Sequence, residues 1–239
     1  MNRLLGLTWG ESYRCHVIRL RLRAFFGISA LVAVSCSVSR EIAWRLSVND
    51  AVAFIEREGG TVRRARVSRF IWCASLAVEL KFHGERCTDA ALNVVSRLDS
   101  LREVDVSRSM IGDDGLRCLS RLPELKSLDI RRTFVSDDGI ALLGQCDELV
   151  DLRIGAWLED LFEPPLTGHG LRHLREIDTL QRIVLEGGTF GDEVVEHLCQ
   201  IKSLKYVELI DTNLSHTGIN RLRQRVPKVV AVGVPLEVE

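Results

Sequence analysis

The chain has 239 residues, 46% hydrophobic and 27% charged, the balance of a folded protein with a sizeable core rather than of a disordered one. Its 32 basic and 33 acidic residues nearly cancel, so no whole-molecule field draws in nucleic acid, and recognition by charge has to be local. The cysteines (Cys15, Cys36, Cys73, Cys87, Cys118, Cys146 and Cys199) number seven, without a CxxC pair, which argues against a disulfide or zinc framework and for free cysteines acting as small apolar side chains.

Residues 1–23 form a basic segment with Arg3, Arg14, Arg19, Arg21 and Arg23, and Ala24 to Val38 follow without a charge. That is a membrane-targeting pattern, expected as a transmembrane anchor or signal segment over 24–39. As a helix the apolar run rises only about 22 Å against a hydrocarbon core of about 30 Å, so a span needs Arg21 and Arg23 to snorkel and Ile42 and Trp44 to extend it. Besides a buried helix of a cytosolic protein, three membrane readings remain open: an uncleaved single-pass anchor, a cleaved signal peptide of a secreted protein, and a lipoprotein signal presenting Cys36 after Ala33-Val34-Ser35. Each of these three places the amino terminus in the cytoplasm and the remainder on the extracytoplasmic side of the cytoplasmic (inner) membrane.

In residues 40–75, Ser47-Val48-Asn49-Asp50 opens an amphipathic helix with Val52, Phe54 and Ile55 that ends at Gly59-Gly60. A strand is expected over Val62 to Val67. Helix and strand together fit an amino-terminal cap, covering the first open face of a stacked domain that begins at residue 76.

From residue 76 to 239 an apolar spacing recurs, anchored at Ala77, Leu101, Leu125, Leu149, Leu180 and Leu204, with steps of 24, 24, 24, 31 and 24. The fourth and sixth positions are apolar too: Leu80 and Phe82, Val104 and Val106, Leu128 and Ile130, Leu152 and Ile154, Ile183 and Leu185, Val207 and Leu209. Period two predicts a short strand in each copy. Cys87, Ile111, Val135, Phe190 and Leu214 at position eleven lead into a spacing by threes, as in Gly115-Leu116 to Leu119 and Gly139-Ile140 to Leu143, which predicts a helical turn. Cys146 stands where other copies keep Leu98, Leu122, Ile177 and Ile201, and is therefore read as core. One strand and one turn cannot bury both apolar faces alone; stacked copies share a continuous core.

The runs LREVDVSRSMI at 101–111 and LKSLDIRRTFV at 125–135, continued by GDDGLRCL and SDDGIALL, resemble the leucine-rich-repeat family, of the subtype with (S/T)-D-x-G-L after the strand. The arrangement as a whole is similar to small membrane-attached repeat proteins of planctomycete-type bacteria. The resemblance implies an α/β fold: a right-handed leucine-rich-repeat solenoid of about six repeats with a parallel concave sheet, preceded by an amino-terminal membrane helix. It also implies that position nine (Ser109, Thr133 and Thr212, but Glu85, Trp157 and Gly188 elsewhere) bonds successive turns together.

Asp89, Asp113, Asp137 and Asp192 recur at position thirteen, directly before each helical turn, where a carboxylate would cap the free N–H groups of that turn. Calcium-loop spacing is absent, and no metal or cofactor is expected. The five histidines from His83 onward, including His169 and His173, lack HExxH spacing and are read as surface residues.

The fifth position should line the exposed sheet face as a column: Lys81, Asp105, Asp129, Arg153, Val184 and Glu208. Asp105 beside Asp129 is a like-charge contact unless Lys81, Arg131 or Arg153 neutralises it. The fourth repeat carries seven extra residues within 155–165 (GAWLEDLFEPP), whose Trp157, Leu158 and Phe162 among acids suit an interface loop. The partner-binding residues expected are thus Trp157, Leu158, Phe162, Lys81, Asp105, Asp129, Arg131, Arg153, Tyr206 and Glu208. The expected function is a non-catalytic, membrane-tethered module binding a protein or peptide, with no nucleic-acid partner. The alternatives are an assembly component of the cell envelope and a hydrolase using Asp105 and Asp129.

Overall fold

The structure, a computed structural model, describes residues 47–66, 75–155, 166–187 and 190–233. The expected membrane segment and Trp157, Leu158 and Phe162 lie outside them. Among the described residues no helix is long and apolar enough to cross a membrane. The chain divides at Asn49/Asp50, and residues 50–239 form one unit.

A helix, α1, covers residues 47–57 and ends at Gly59, whose φ of +95° suits glycine. Among the described residues ten strands come after it: β1 Thr61–Arg66, β2 Ser75–Lys81, β3 Gly84–Thr88, β4 Glu103–Asp105, β5 Ser109–Met110, β6 Ser127–Arg131, β7 Asp151–Gly155, β8 Arg182–Glu186, β9 Tyr206–Ile210 and β10 Lys228–Val232. Between them lie the helices α2 Asp89–Leu92, α3 Asp113–Leu119, α4 Asp137–Leu142, α5 Glu193–Gln200 and α6 His216–Arg225, with 3-10 turns at Val95–Arg97, Leu143–Gln145 and His169–Glu176.

The main sheet runs β1-β2-β4-β6-β7-β8-β9-β10, antiparallel only between β1 and β2. Every expected repeat contributes one strand, in sequence order and at the same register. Lys81 pairs with Asp105, Asp105 with Asp129, Asp129 with Arg153, Arg153 with Val184 and Val184 with Glu208. The fold is therefore α/β with a largely parallel sheet.

A seventh turn continues the stack. Lys228 pairs with Tyr206 in parallel, and Val226, 4% exposed, takes the anchor position. Val226, Val229 and Ala231 keep the anchor, fourth and sixth spacing, but after 22 residues rather than 24 and with Pro227 inside the strand approach.

The fourth and sixth strand positions, from Leu80 and Phe82 to Val207 and Leu209, are at most 2% exposed. So are Leu116, Leu119, Leu171, Leu174 and Leu198 from the helical side, which close the core against the sheet. Cys87 and Cys146 are buried among them, and burial raises the Cys87 thiol to about 12 and that of Cys146 to about 11.

The position-thirteen aspartates correct one expectation. They bond the next turn instead of capping their own. Asp89 Oδ1 accepts from the N–H groups of Gly112 (2.9 Å) and Gly115 (3.0 Å). Asp113 accepts from the Ser136 N–H (2.9 Å) and hydroxyl (2.6 Å), and Asp192 likewise from Ser215 (2.8 and 2.6 Å). Asp137 accepts from Gly168 (2.9 Å), Gly170 (3.1 Å) and Thr167. The reason is spatial: a turn's first N–H groups point toward the preceding turn, whose carboxylate fills the gap.

The same contact explains the glycines at 115 and 139, because a Cβ on Gly139 would sit 2.1 Å from Asp113 Oδ1 and one on Gly115 2.4 Å from Asp89 Oδ1. Position nine is corrected in the opposite sense: Ser109 and Thr133 donate to Val106 O (2.6 Å) and Ile130 O (2.8 Å) within their own turn. The position-thirteen carboxylates, not these two position-nine hydroxyls, reach the neighbouring turn.

Candidate functional site

Strand residues at positions three, five and seven stand on the sheet face opposite the helices. The parallel register places each beside its counterpart from the neighbouring turn, about 4.8 Å away. Residues some two dozen apart in the chain therefore share one surface.

At the centre of this open face lies Asp129, only 5% exposed. Arg131, two residues on along β6, grips it with Nε (3.0 Å to Oδ1) and Nη2 (2.7 Å to Oδ2), and Arg153 of β7 stands 3.7 Å from Oδ2. These two of the three cations expected at the Asp105–Asp129 pair are thus at Asp129. The third, Lys81, is turned to Glu79 (3.2 Å), which Arg63 also bonds. Burial works to raise the Glu79 carboxyl, but hydrogen bonds from Lys81 and Arg63 prevail and lower it. Asp105 is held by the Ser107 hydroxyl (2.8 Å) and N–H (3.2 Å).

Arg131 also reaches across a whole strand. Its Nη1 donates to Glu186 of β8 (3.2 Å), and Arg132 donates Nε and Nη2 to the other oxygen of Glu186 (2.9 and 2.7 Å). Between them in the ladder is Gly155, paired to Arg131 on one side and Glu186 on the other. A Cβ there would come within 2.9 Å of Glu186 Cβ, so the absence of a side chain opens the lane. The hydrogen bonds to Asp129, followed by the pull of Glu186, raise the Arg131 pKa further, making it a fixed cation.

At the other end of the face, Tyr206 is flanked by two cations, with the Arg182 guanidinium carbon 4.7 Å and Lys228 Nζ 5.1 Å from its ring centroid. Glu208 accepts from Arg182 (3.1 Å) and from the Tyr206 hydroxyl (3.2 Å). Tyr206 and Glu208, both expected as binding residues, are brought together here. Between this cluster and Arg131, Asp151 Oδ1, Arg153 Nε and Arg182 Nε are buried without a hydrogen-bond partner.

Reading by sequence missed His83, Ser107, Arg108, Arg132, Arg182 and Glu186. The signal was the seventh-position column His83, Ser107, Arg131, Gly155 and Glu186, in which opposite charges flank a glycine.

His83, Ser107 and Asp105 do lie together, but not as an acid–base relay. The Ser107 hydroxyl gives its proton to Asp105, and the serine and the carboxylate approach the same imidazole atom, Nδ1, at 3.5 and 3.7 Å. A relay needs them on opposite ring nitrogens. Elsewhere the His169 and His197 rings stand 6.2 Å apart, and among the described residues no group of three or more His, Cys, Asp or Glu side chains could hold a metal ion.

No protein-family model matches the sequence, and no curated protein matches it. The solved structures that are similar in part include the following two. One is a protein from Bacteroides fragilis, at 15% identity and a TM-score of 0.33 over 61% of this chain and 51% of that one. The other is the leucine-rich-repeat ectodomain of the receptor kinase SOBIR1 from Arabidopsis thaliana, at 14% identity and a TM-score of 0.33 over 79% of this chain and 93% of that one. The chain spans about half the length of the Bacteroides fragilis protein.

Proposed function

We propose that the chain is a non-catalytic interaction module that holds a protein or peptide against the open face of its parallel sheet. The observation that supports this best is the array from Asp129 through Arg131 and Arg132 to Glu186. Ion pairs and hydrogen bonds within the face fix these side chains before any partner arrives, so less conformational entropy is lost when it docks. Tyr206 between Arg182 and Lys228 adds an aromatic anchor of the kind that dominates interface energies. Trp157 and Phe162 belong to the same proposal as a second anchor, from the sequence alone. Tethering to the cytoplasmic membrane through 24–39, with the repeats on the extracytoplasmic side, is likewise proposed from the arginine-rich lead and the uncharged run.

A photo-crosslinking amino acid at Ser127, on the open face, and another at Arg121, exposed on the helical side, test the reading in native membranes. Ser127 should label a discrete protein, and labelling should fall at least tenfold with Tyr206→Ala or with Trp157→Ala and Phe162→Ala together. Equal labelling from both positions would overturn the reading.

A further inference from the structure

A cavity of about 340 Å³ on the open face is bounded by His83, Ser107, Arg108, Arg131, Arg132 and Glu186. Three of these are arginines contributed by successive turns. We propose that this cavity receives a carboxylate presented by the bound polypeptide, which deepens the open-face reading and rests on it.

Glu186 forms the floor. Its side chain is 11% exposed, against 29% for Arg131 and 32% for Arg132, and both its oxygens are occupied by the two guanidinium groups. It therefore aims the arginines without filling the space above them. Arg132 spends its Nε and Nη2 edge on Glu186, which turns Nη1 to the other side. Arg108, the third, is exposed, and among the described residues it forms no ion pair.

The charges do not close. Of the residues that bound the cavity, Arg108, Arg131 and Arg132 stand against one carboxylate, Glu186, which holds Arg131 and Arg132, while Asp129 is held by Arg131 and Arg153; the Arg108 charge is left without an ionic partner among the described residues. A single negative charge balances it, whereas a doubly charged phosphate would also meet the repulsion of Glu186. That selects a carboxylate.

The backbone carries the second observation. Arg108 and Arg132 sit at φ +55° and +57°, at the eighth repeat position, where three other turns use Gly84, Gly187 and Gly233 at +84°, +118° and +71° and one uses Asp211 at +51°. A left-handed backbone is costly for a side chain and free for glycine. Two consecutive turns bear that cost with the same residue, and both line this cavity.

Fluorescence anisotropy on the full chain separates the sources of the carboxylate. One labelled peptide alternates Gly and Glu with both ends blocked; a second alternates Gly and Gln with a free terminal carboxylate; a third is the Gly-Gln peptide blocked at both ends. At least one of the first two should bind saturably and the third should not, with binding weakened about tenfold by Arg108→Gln or Arg132→Gln and unchanged by Arg221→Gln on the helical side. Arg108 has no ion pair to lose among the described residues, so its variant keeps the test valid if Arg132→Gln disturbs folding, which circular dichroism reports. Absence of saturable binding by both carboxylate peptides, or binding indifferent to both arginine substitutions, overturns the proposal. If Tyr206→Ala abolishes partner labelling while Arg108→Gln leaves it intact, the pocket assignment fails and the open-face reading stands; if neither alters it, both fail.

Discussion

Arg131 on one strand donates to Glu186 two strands away, and it does so over Gly155, whose missing side chain is the only opening in that row. Glu186→Gln keeps the shape and removes the charge that aligns Arg131 and Arg132. With the arginines about a third exposed, the loss should be about 1–3 kcal/mol, read as a lowered midpoint in urea. Gly155→Ala should cost at least as much by pushing Glu186 away.

The ties between turns predict a coupling. Asp113→Ala removes the acceptor for Ser136 and should cost about 1–3 kcal/mol. Gly139→Ala should also destabilise, although alanine favours a helix, because its Cβ meets Asp113 Oδ1. In the Asp113→Ala background the second substitution should cost less, by about 0.5–3 kcal/mol, in a double-mutant cycle of denaturation free energies. Strict additivity would mean that the carboxylate and the glycine are unrelated.

These two sets of contacts show where the sequence was legible. Anchors such as Leu101 and Leu128 repeat with a fixed period, and a period in apolar residues translates directly into stacking, so the sheet and its register followed from it. Lys81, Asp105, Asp129, Arg153 and Glu208 fell into their column for the same reason. What a polar side chain bonds depends on direction as well as position. Asp113 therefore looked like a cap for its own helix until the neighbouring Ser136 was in place. Glu186 was invisible as a partner because nothing in a periodic pattern says that a glycine lets an arginine reach past the nearest strand. The turn at Val226 was hidden by its shorter spacing.

Thiol reactivity should follow burial. Cys87 and Cys146, raised to about 12 and 11, stay protonated at pH 8 and shielded in the folded chain. Alkylation by iodoacetamide followed by mass spectrometry should modify Cys199, which is partly exposed, before either of them. Cys87 and Cys146 should react only in denaturant. Rapid labelling of Cys87 in the native state would contradict the core assignment.

Acid should destabilise the unit in two stages. Burial, then His169 and Arg172, hold His197 below its ordinary 6.5. Between the folded and unfolded pKa values the unfolded chain binds more protons, so stability rises with pH there and falls as pH drops below about 6.5. The lowered Glu79 acts in the same direction below its ordinary 4.5: its contribution is present above that value and is lost as pH falls through the folded pKa. Urea midpoints at pH 7, 5.5 and 3.5 should decline in both steps, and His197→Gln should flatten the first alone.

The site, the proposed partner and the carboxylate pocket all depend on distant residues becoming lateral neighbours on one face. Nitroxide labels at Lys81 and Glu208, measured by pulsed electron-electron resonance, test this most directly. Five strand-to-strand steps of about 4.8 Å place the two backbones about 24 Å apart, so one narrow distribution near that distance, widened only by the label arms, is expected. A broad distribution, or a maximum beyond about 40 Å, would contradict the stacked register and the binding face that depends on it.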